Sequence, residues 1–415
     1  MGDASREIFI GRQPIFDRSQ KLVAYELLFR RGHKNSADVD DGREATSSVI
    51  TRTFVDLGIE AALGPYKGYV NCDESLLLSD MLEVLPADKI VLEVLETVAV
   101  TPAIIERCLE LKALGYTLAL DDFVADHERL QPLLKIVDIV KVDTMLLTPE
   151  ELLEATRLLK RWPVQLLAER VETRAIVAQC HADGYALFQG YYFAHPVIIA
   201  GKKLGHSQLA LLNLLAMVVA DVETEELEAV FKTEPGLAVN LLRLTNSAGS
   251  GVRTRISSLR HAISVLGRRQ LHRWLQLLMY TDPAGGEASE PLMQMAATRG
   301  RLMELLAAKL TPGNRGAEDL AFMCGILSLM PALMGVAMEE ILSTVGVGVE
   351  VSAALISGAG RLGSMMSLCV ALEGNDGVAC HDYTAKLPGL DADMVNACHT
   401  QAMVWANNIG RASVS

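Results

Sequence analysis

Short apolar runs of strand length recur through the first half of the chain, and one after another ends on an acidic, amide or lysine side chain. They read LVAYELLFR with Glu26, GYVNCDES with Asn71, KIVLEVLE with Glu93 and Glu96, and TLALDDF with Asp121 and Asp122. DIVKVD follows with Lys141 and Asp143, then VQLLAERVE with Glu169 and YALFQGYYF with Gln189. Between these runs the apolar period lengthens to that of a helix. TPAIIERCLELKALG predicts a helix with Thr101 as N-cap, Pro102 in the first turn and Gly115 as the stop. TPEELLEATRLLKRW predicts another, capped by Thr148 with Glu151 three residues on. Strand, helix, strand at this spacing means βαβ units and a parallel sheet. Two apolar runs, EIFIGRQPIF and KLVAYELLF, precede the first long helix. The DRSQ between them reads as a hairpin turn, which sets the first barrel strand antiparallel to the rest.

Beyond GKKLGHS at 201–207 the texture changes to helical periodicity with almost no β-alternation. The expected organisation is therefore a (β/α)₈ barrel over residues 1–200 and an all-helical domain over 201–415. TDPAGGEASEP at 281–291 reads as a loop. The most continuous apolar stretch, Ala321 to Ala337, contains Pro331 and reads as a buried core helix, not a membrane span.

Composition narrows the classes. A chain of 415 residues, half of them hydrophobic, is long enough for two or three cores. A net charge of −13 argues against broad nucleic-acid binding, since a phosphate backbone would be repelled. The arginines at 253, 255, 260, 268 and 269 read as a solvated helix face. Seven cysteines lie far apart in sequence and read as reduced structural thiols. The N-terminus MGDASREIFIGRQ lacks the basic-then-apolar order of a secretory signal, so the expected location is cytoplasmic.

Oxygen ligands gathered at the carboxyl ends of parallel strands are how a (β/α)₈ barrel builds a divalent-cation site. Glu26, Asn71, Glu93 and Asp121 could hold one ion. Asp121 could bridge to a second, held also by Asp122. Two hard cations on a phosphodiester neutralise its charge and acidify a water. Lys141 is placed to orient that water or to stabilise charge on the phosphate, and Glu169 is the candidate base.

These residues carry a family resemblance. ELLFR, VNCDES, LEVLE, DDF, KVD, AERVET and QGYYF resemble, in order, the E-A-L-x-R, V-N-x-S, L-E-x-x-E, D-D-F-G, K-x-D, A-E-G-V-E and Q-G-Y-x-F elements of the EAL domain, the cyclic-di-GMP phosphodiesterase fold. The resemblance implies Mg²⁺ or Mn²⁺ held by Glu26, Asn71, Glu93, Asp121 and Asp122, with Lys141 and Glu169 acting on the water. It implies support from Glu96, Asp143 and Gln189, and ligand contacts from Leu28 and Arg30. Three positions depart from the pattern. VADHERL at 124–130 replaces a glycine-rich loop, Leu27 replaces alanine, and Arg170 replaces the glycine of A-E-G-V-E. A guanidinium beside Glu169 is expected to pair with it, depress its pKa and occupy ligand space.

The second half resembles an HDOD domain through EPGLAVNLLRLTNSA and ISSLRHAISVLGRRQLHRWLQLL. Where a related metal hydrolase would place its His-Asp dyad stands GILSLMPALMG, without a ligand. His381 and Asp382 form an isolated dipeptide not read as a metal site; Asn246, Ser247 and His261 read as caps and satisfied polar groups. An EAL half followed by an HDOD half resembles the YuxH-type signalling proteins. The expected function is bacterial signal transduction in the cyclic-di-GMP network, with a divergent barrel and a metal-free helical domain that binds a protein partner. Two alternatives stay open: an active phosphodiesterase yielding linear pGpG, and a receptor that binds the dinucleotide without cutting it. A homodimer is also left open.

Overall fold

The computed structural model describes residues 8–31, 63–123, 127–190, 206–220, 222–233, 259–280, 290–334, 336–374 and 376–409, with single positions between 237 and 256. The chain divides into two compact units, Met1–Ala194 with Leu372–Val378, and His195–Ala371 with Ala379–Ser415. The expected boundary near residue 200 and the departures at 124–126 lie outside the described residues.

In the first unit eight strands close into a barrel in sequence order: β1 (Ile8–Asp17), β2 (Leu22–Arg31), β3 (Lys67–Cys72), β4 (Ile90–Val94), β5 (Thr117–Leu120), β6 (Ile139–Asp143), β7 (Gln165–Glu169) and β8 (Leu187–Phe188). β1 runs antiparallel to both of its neighbours, β2 and β8, and all other pairings are parallel. The hairpin is closed by Asp17, whose carboxylate accepts from Ser19 N and Lys21 N, and by Gln20 in the left-handed region at φ 61°.

Five described helices belong to this unit: α1 (Glu74–Leu77), α2 (Pro102–Ala113), α3 (His127–Leu134), α4 (Pro149–Leu159) and α5 (Arg174–Ala182). Thr101 caps α2 by accepting from Ile104 N, and Gly115 beyond its end takes φ 95°. At α4, Thr148 and Glu151 close a reciprocal capping box. Between sheet and helices lies an apolar shell that includes Tyr25, Leu27, Val70, Leu92, Leu118, Val140 and Leu166. Leu27 thus packs on the helix side of β2, away from the barrel interior.

The second unit is built of helices among its described residues: α6 (His206–Val219), α7 (Thr224–Thr233), α8 (Leu259–Leu278), α9 (Glu290–Leu310), α10 (Arg315–Leu327), α11 (Met330–Met334), α12 (Met338–Val345), α13 (Val349–Ser357), α14 (Gly360–Glu373), α15 (Gly377–Ala385) and α16 (Ala392–Asn407), with the last residues of α14 and the first of α15 falling in the first unit. Arg315–Met334 is apolar and long enough to cross a membrane by length and composition, but 56% of its apolar window is buried inside the unit. GILSLMPALMG supplies much of that core. Ile326, Leu327, Leu329, Met330 and Met334 are buried, and a Cβ on Gly325 would sit 2.6 Å from Gly300 Cα, so α9 and α10 touch backbone to backbone. Asn246 behaves as a local brace, its amide donating to Leu242 O and Ile256 O and accepting from Ile256 N. All seven cysteines are buried and none forms a disulfide, and burial pushes the Cys180 and Cys324 thiols up to about 12.

Candidate active site at the carboxyl end of the barrel

Strand alternation builds the site. One layer inside the barrel is apolar: Ile15, Ala24, Tyr69, Val91, Ala119, Ile139 and Leu167, with Leu187 packed against them. Side chains two positions apart share a face. The next inward residue toward the carboxyl end of each parallel strand is therefore Glu26, Asn71, Glu93, Asp121, Lys141, Glu169 or Gln189. β1 runs the other way, so its member of this layer is two residues earlier, at Gln13.

Lys141, 1% exposed, stands at the centre. Its Nζ lies 2.8 Å from Glu93 Oε1, 2.8 Å from Asp121 Oδ1, 2.9 Å from Glu169 Oε1 and 3.3 Å from Glu26 Oε2. Glu26 is pinned from two more sides. Its Oε1 accepts from Asn71 Nδ2 at 3.0 Å, and its Oε2 accepts from Gln189 Nε2 at 2.7 Å. Gln189 also donates to Gln13 Oε1 at 2.7 Å. These donations leave the amide oxygens of Asn71 and Gln189 buried without a hydrogen-bond partner, as is Oε2 of Glu93, whose Oε1 meets the Lys141 ammonium.

Four carboxylates around one ammonium strain ordinary ionisation. Burial, and then repulsion from Glu26, raises Glu93 well above the usual carboxylate range. Burial pushes Glu169 up to about 8 against the pull of Lys141, with Asp121 and Glu26 adding repulsion. Burial also opposes ionisation of Glu26, yet Lys141, Gln189 and Asn71 together hold it below its ordinary value. Burial disfavours the Lys141 charge too, but Glu93, Glu26, Glu169 and Asp121 override it and raise its pKa.

A second group adjoins the first. Carboxylate oxygens of Glu96, Asp121 and Asp122 lie within 4.8 Å of one another. Asp122 takes φ 42°, and burial, followed by Asp121, Glu96 and Asp143, raises its pKa. Asp121 belongs to both groups, the position of a bridging ligand. An all-oxygen donor set with buried, unpartnered oxygens suits a hard divalent cation such as Mg²⁺ or Mn²⁺.

Leu28 is buried on β2 opposite Gly11, and Arg30 stands opposite Phe9 in the same hairpin; the Arg30 side chain is outside the described residues. Arg170 departs from expectation. Its Nε pairs with Asp143 Oδ2 at 3.2 Å, while Glu169 pairs with Lys141. Arg170 lies just past the end of β7, where φ 50° turns the chain and sets its side chain beside Asp143, and Lys141 is the cation that meets Glu169. Two contributors escape a reading of strand ends. Gln13 sits in the middle of its strand, and only the reversed direction of β1 reveals it. Thr144 donates its hydroxyl to Glu169 O at 2.9 Å, bracing the candidate base from the neighbouring strand.

Comparison with known proteins agrees with this architecture. The EAL domain matches residues 73–196 and the HDOD domain residues 208–349. The EAL match begins after Glu26 and Asn71, which makes a full-length relative decisive. YuxH of Bacillus subtilis is 33% identical over 97% of this chain and 98% of its own length. The chain belongs to the EAL–HDOD family of YuxH. A second member of similar extent, named cyclic di-GMP phosphodiesterase CdgJ, from Vibrio cholerae, is 29% identical over 99% of this chain and 94% of its own. Among solved structures, the EAL-domain protein YkuI of Bacillus subtilis aligns over 63% of this EAL–HDOD chain and 73% of its own. The identity is 19% and the TM-score 0.39.

Proposed function

We propose that the barrel is a divalent-cation-dependent phosphodiesterase that opens cyclic-di-GMP to linear pGpG. The observation that carries this is the convergence of Glu26, Glu93, Asp121 and Glu169 on Lys141, with Asn71 donating to Glu26 and Asp121 shared by the Glu96–Asp121–Asp122 group. The name of CdgJ, a relative across nearly the whole chain, supports the same substrate. Glu26, Asn71, Glu93 and Asp121 would hold one Mg²⁺ or Mn²⁺, and Asp121 with Asp122 and Glu96 a second. Such ions neutralise the phosphodiester and acidify the attacking water.

The chain's own residues do the rest. Gln189, Asn71 and Gln13 lock the Glu26 carboxylate in one orientation, so the cradle is preorganised before ligand arrives. Lys141 supplies a fixed positive charge beside the phosphate. As the water oxygen attacks phosphorus, Glu169, held in place by Lys141 and Thr144, accepts the water's proton; the P–O3′ bond breaks and the 3′-oxygen takes a proton from solvent. The helical half is proposed to bind a protein partner without metal, and the whole protein to work in the cytoplasm.

The test is hydrolysis of cyclic-di-GMP by the purified full chain with Mn²⁺ or Mg²⁺, read by chromatography of pGpG. Glu169→Gln is expected to lower kcat about 10²–10⁴-fold. Tight cation-dependent binding of the dinucleotide with no product would replace this reading by that of a receptor. Absence of both binding and product would reject it.

A further inference from the structure

We propose that Arg170 is a specificity-determining residue of this barrel, its guanidinium binding a phosphate oxygen of the dinucleotide at the rim of the carboxylate pocket. This rests on the phosphodiesterase reading and adds to it a contact that a glycine at this position cannot make.

The backbone at this point suits glycine. Arg170 takes φ 50°, and its neighbours hold it there. The Thr144 hydroxyl reaches both Glu169 O and Arg170 O from β6. On the other side Val171 N donates to Gln189 O at 3.0 Å. A Cβ on Gly190 would stand 2.2 Å from Val171 N and 2.9 Å from the Arg170 carbonyl carbon, so the two backbones are in direct contact. The left-handed conformation is thus imposed by β6 and β8, and an arginine there carries strain that a glycine would not. Strain of this kind at a site rim directs attention to the side chain.

That side chain is tethered but not consumed. Nε lies 3.2 Å from Asp143 Oδ2, and Asp143 Oδ1 is taken by Met145 N at 2.8 Å. Arg170 makes no other ion pair among the described residues, and its side chain is 63% exposed. A guanidinium has five N–H donors, so a contact through Nε leaves both terminal amino groups available. The pocket beside it sets four carboxylates against one ammonium. A phosphodiester approaching that pocket meets repulsion except where a cation faces it. A planar fork with permanent charge matches phosphate geometry better than an ammonium does.

The experiment measures equilibrium binding of cyclic-di-GMP, with Mn²⁺ present, to the full chain carrying Glu169→Gln, which keeps the ligand intact. Arg170→Met, Arg170→Lys and Arg170→Gly are made in that background. The methionine and glycine variants are expected to bind about tenfold more weakly and with a shallower salt dependence, and lysine to recover part of the loss. Mn²⁺ affinity measured without nucleotide should stay the same in all of them. Arg170→Gly relaxes the backbone and should melt no lower than its parent, which separates lost recognition from misfolding. Unchanged or tighter nucleotide binding in the methionine and glycine variants overturns the proposal, and tighter binding would make Arg170 an obstruction. If the parent itself fails to bind the dinucleotide, the phosphodiesterase reading falls first and takes this inference with it.

Discussion

Both units of this protein bury charge, and they balance it differently. In the barrel, Glu26, Glu93, Asp121 and Glu169 face the single ammonium of Lys141, an excess of three negative charges in a nearly dry site. In the helical unit, Arg269, Arg273 and Arg301 pair with Glu304, Glu318 and Asp319, three charges of each sign. There Arg273 joins Glu304 to Asp319 and lies 4.6 Å over the Phe322 ring. A balanced network satisfies itself and serves as structure. An unbalanced one is stable only if protons or outside cations make up the difference, and burial raises the pKa of both Glu93 and Glu169.

The largest test of this contrast removes the central cation from the barrel. Lys141→Met should destabilise the barrel by about 3–5 kcal/mol without divalent ions, because buried carboxylates lose their partner. Mn²⁺ should restore much of that. Hydrogen exchange resolved by peptide reads each unit separately. Loss of stability that Mn²⁺ leaves untouched would break the comparison.

The counterpart in the helical unit is Arg273→Met. It should cost about 2–3 kcal/mol there, because Glu304 keeps only Arg301 and Asp319 only Arg269, leave barrel exchange unchanged, and show no rescue by Mn²⁺ or Mg²⁺. Rescue by either ion would mean that this network, too, has cation-site character.

A third test uses pH. Burial lowers the His272 pKa from 6.5 to about 4, so the folded helical unit binds fewer protons than the unfolded chain between those values. Its contribution is fully present above pH 6.5 and is lost as pH falls toward 4. At 1.36 kcal/mol per unit this amounts to about 3 kcal/mol. His272→Gln should flatten the helical unit's stability over that window. An equally steep profile in the variant would assign the slope to other groups. The smallest effect expected is from Thr148→Ala, which opens the α4 capping box and should cost about 1 kcal/mol, confined to barrel peptides.

Local signals made much of this molecule legible in advance. Thr101 and Thr148 cap their helices because an N-cap is decided within four residues. The antiparallel first strand was readable because a short polar turn between apolar runs permits little else. The layer from Glu26 to Gln189 was readable because strand period and barrel direction together send the last inward side chain of each parallel strand to one end. Gln13 was missed for the same physical reason, since the reversed strand brings its first inward residues to that end. The partner of Arg170 was misread because the chain turns at φ 50° just past β7, which sets that side chain beside Asp143 and not Glu169. The Arg269–Arg273 part of the network was hidden, since the carboxylates these two arginines meet lie 31 to 50 residues away along a helical chain.

Sequence alone therefore determined the elements, their order, and which residue types stand at the carboxyl ends of the strands, because alternation and capping are short-range. Only the tertiary structure decided that Lys141 is surrounded by four carboxylates, that Asp121 is shared by two groups, and that Arg170 joins Asp143. Those facts depend on the closure and stagger of the barrel, which bring side chains from separate strands within about 3 Å.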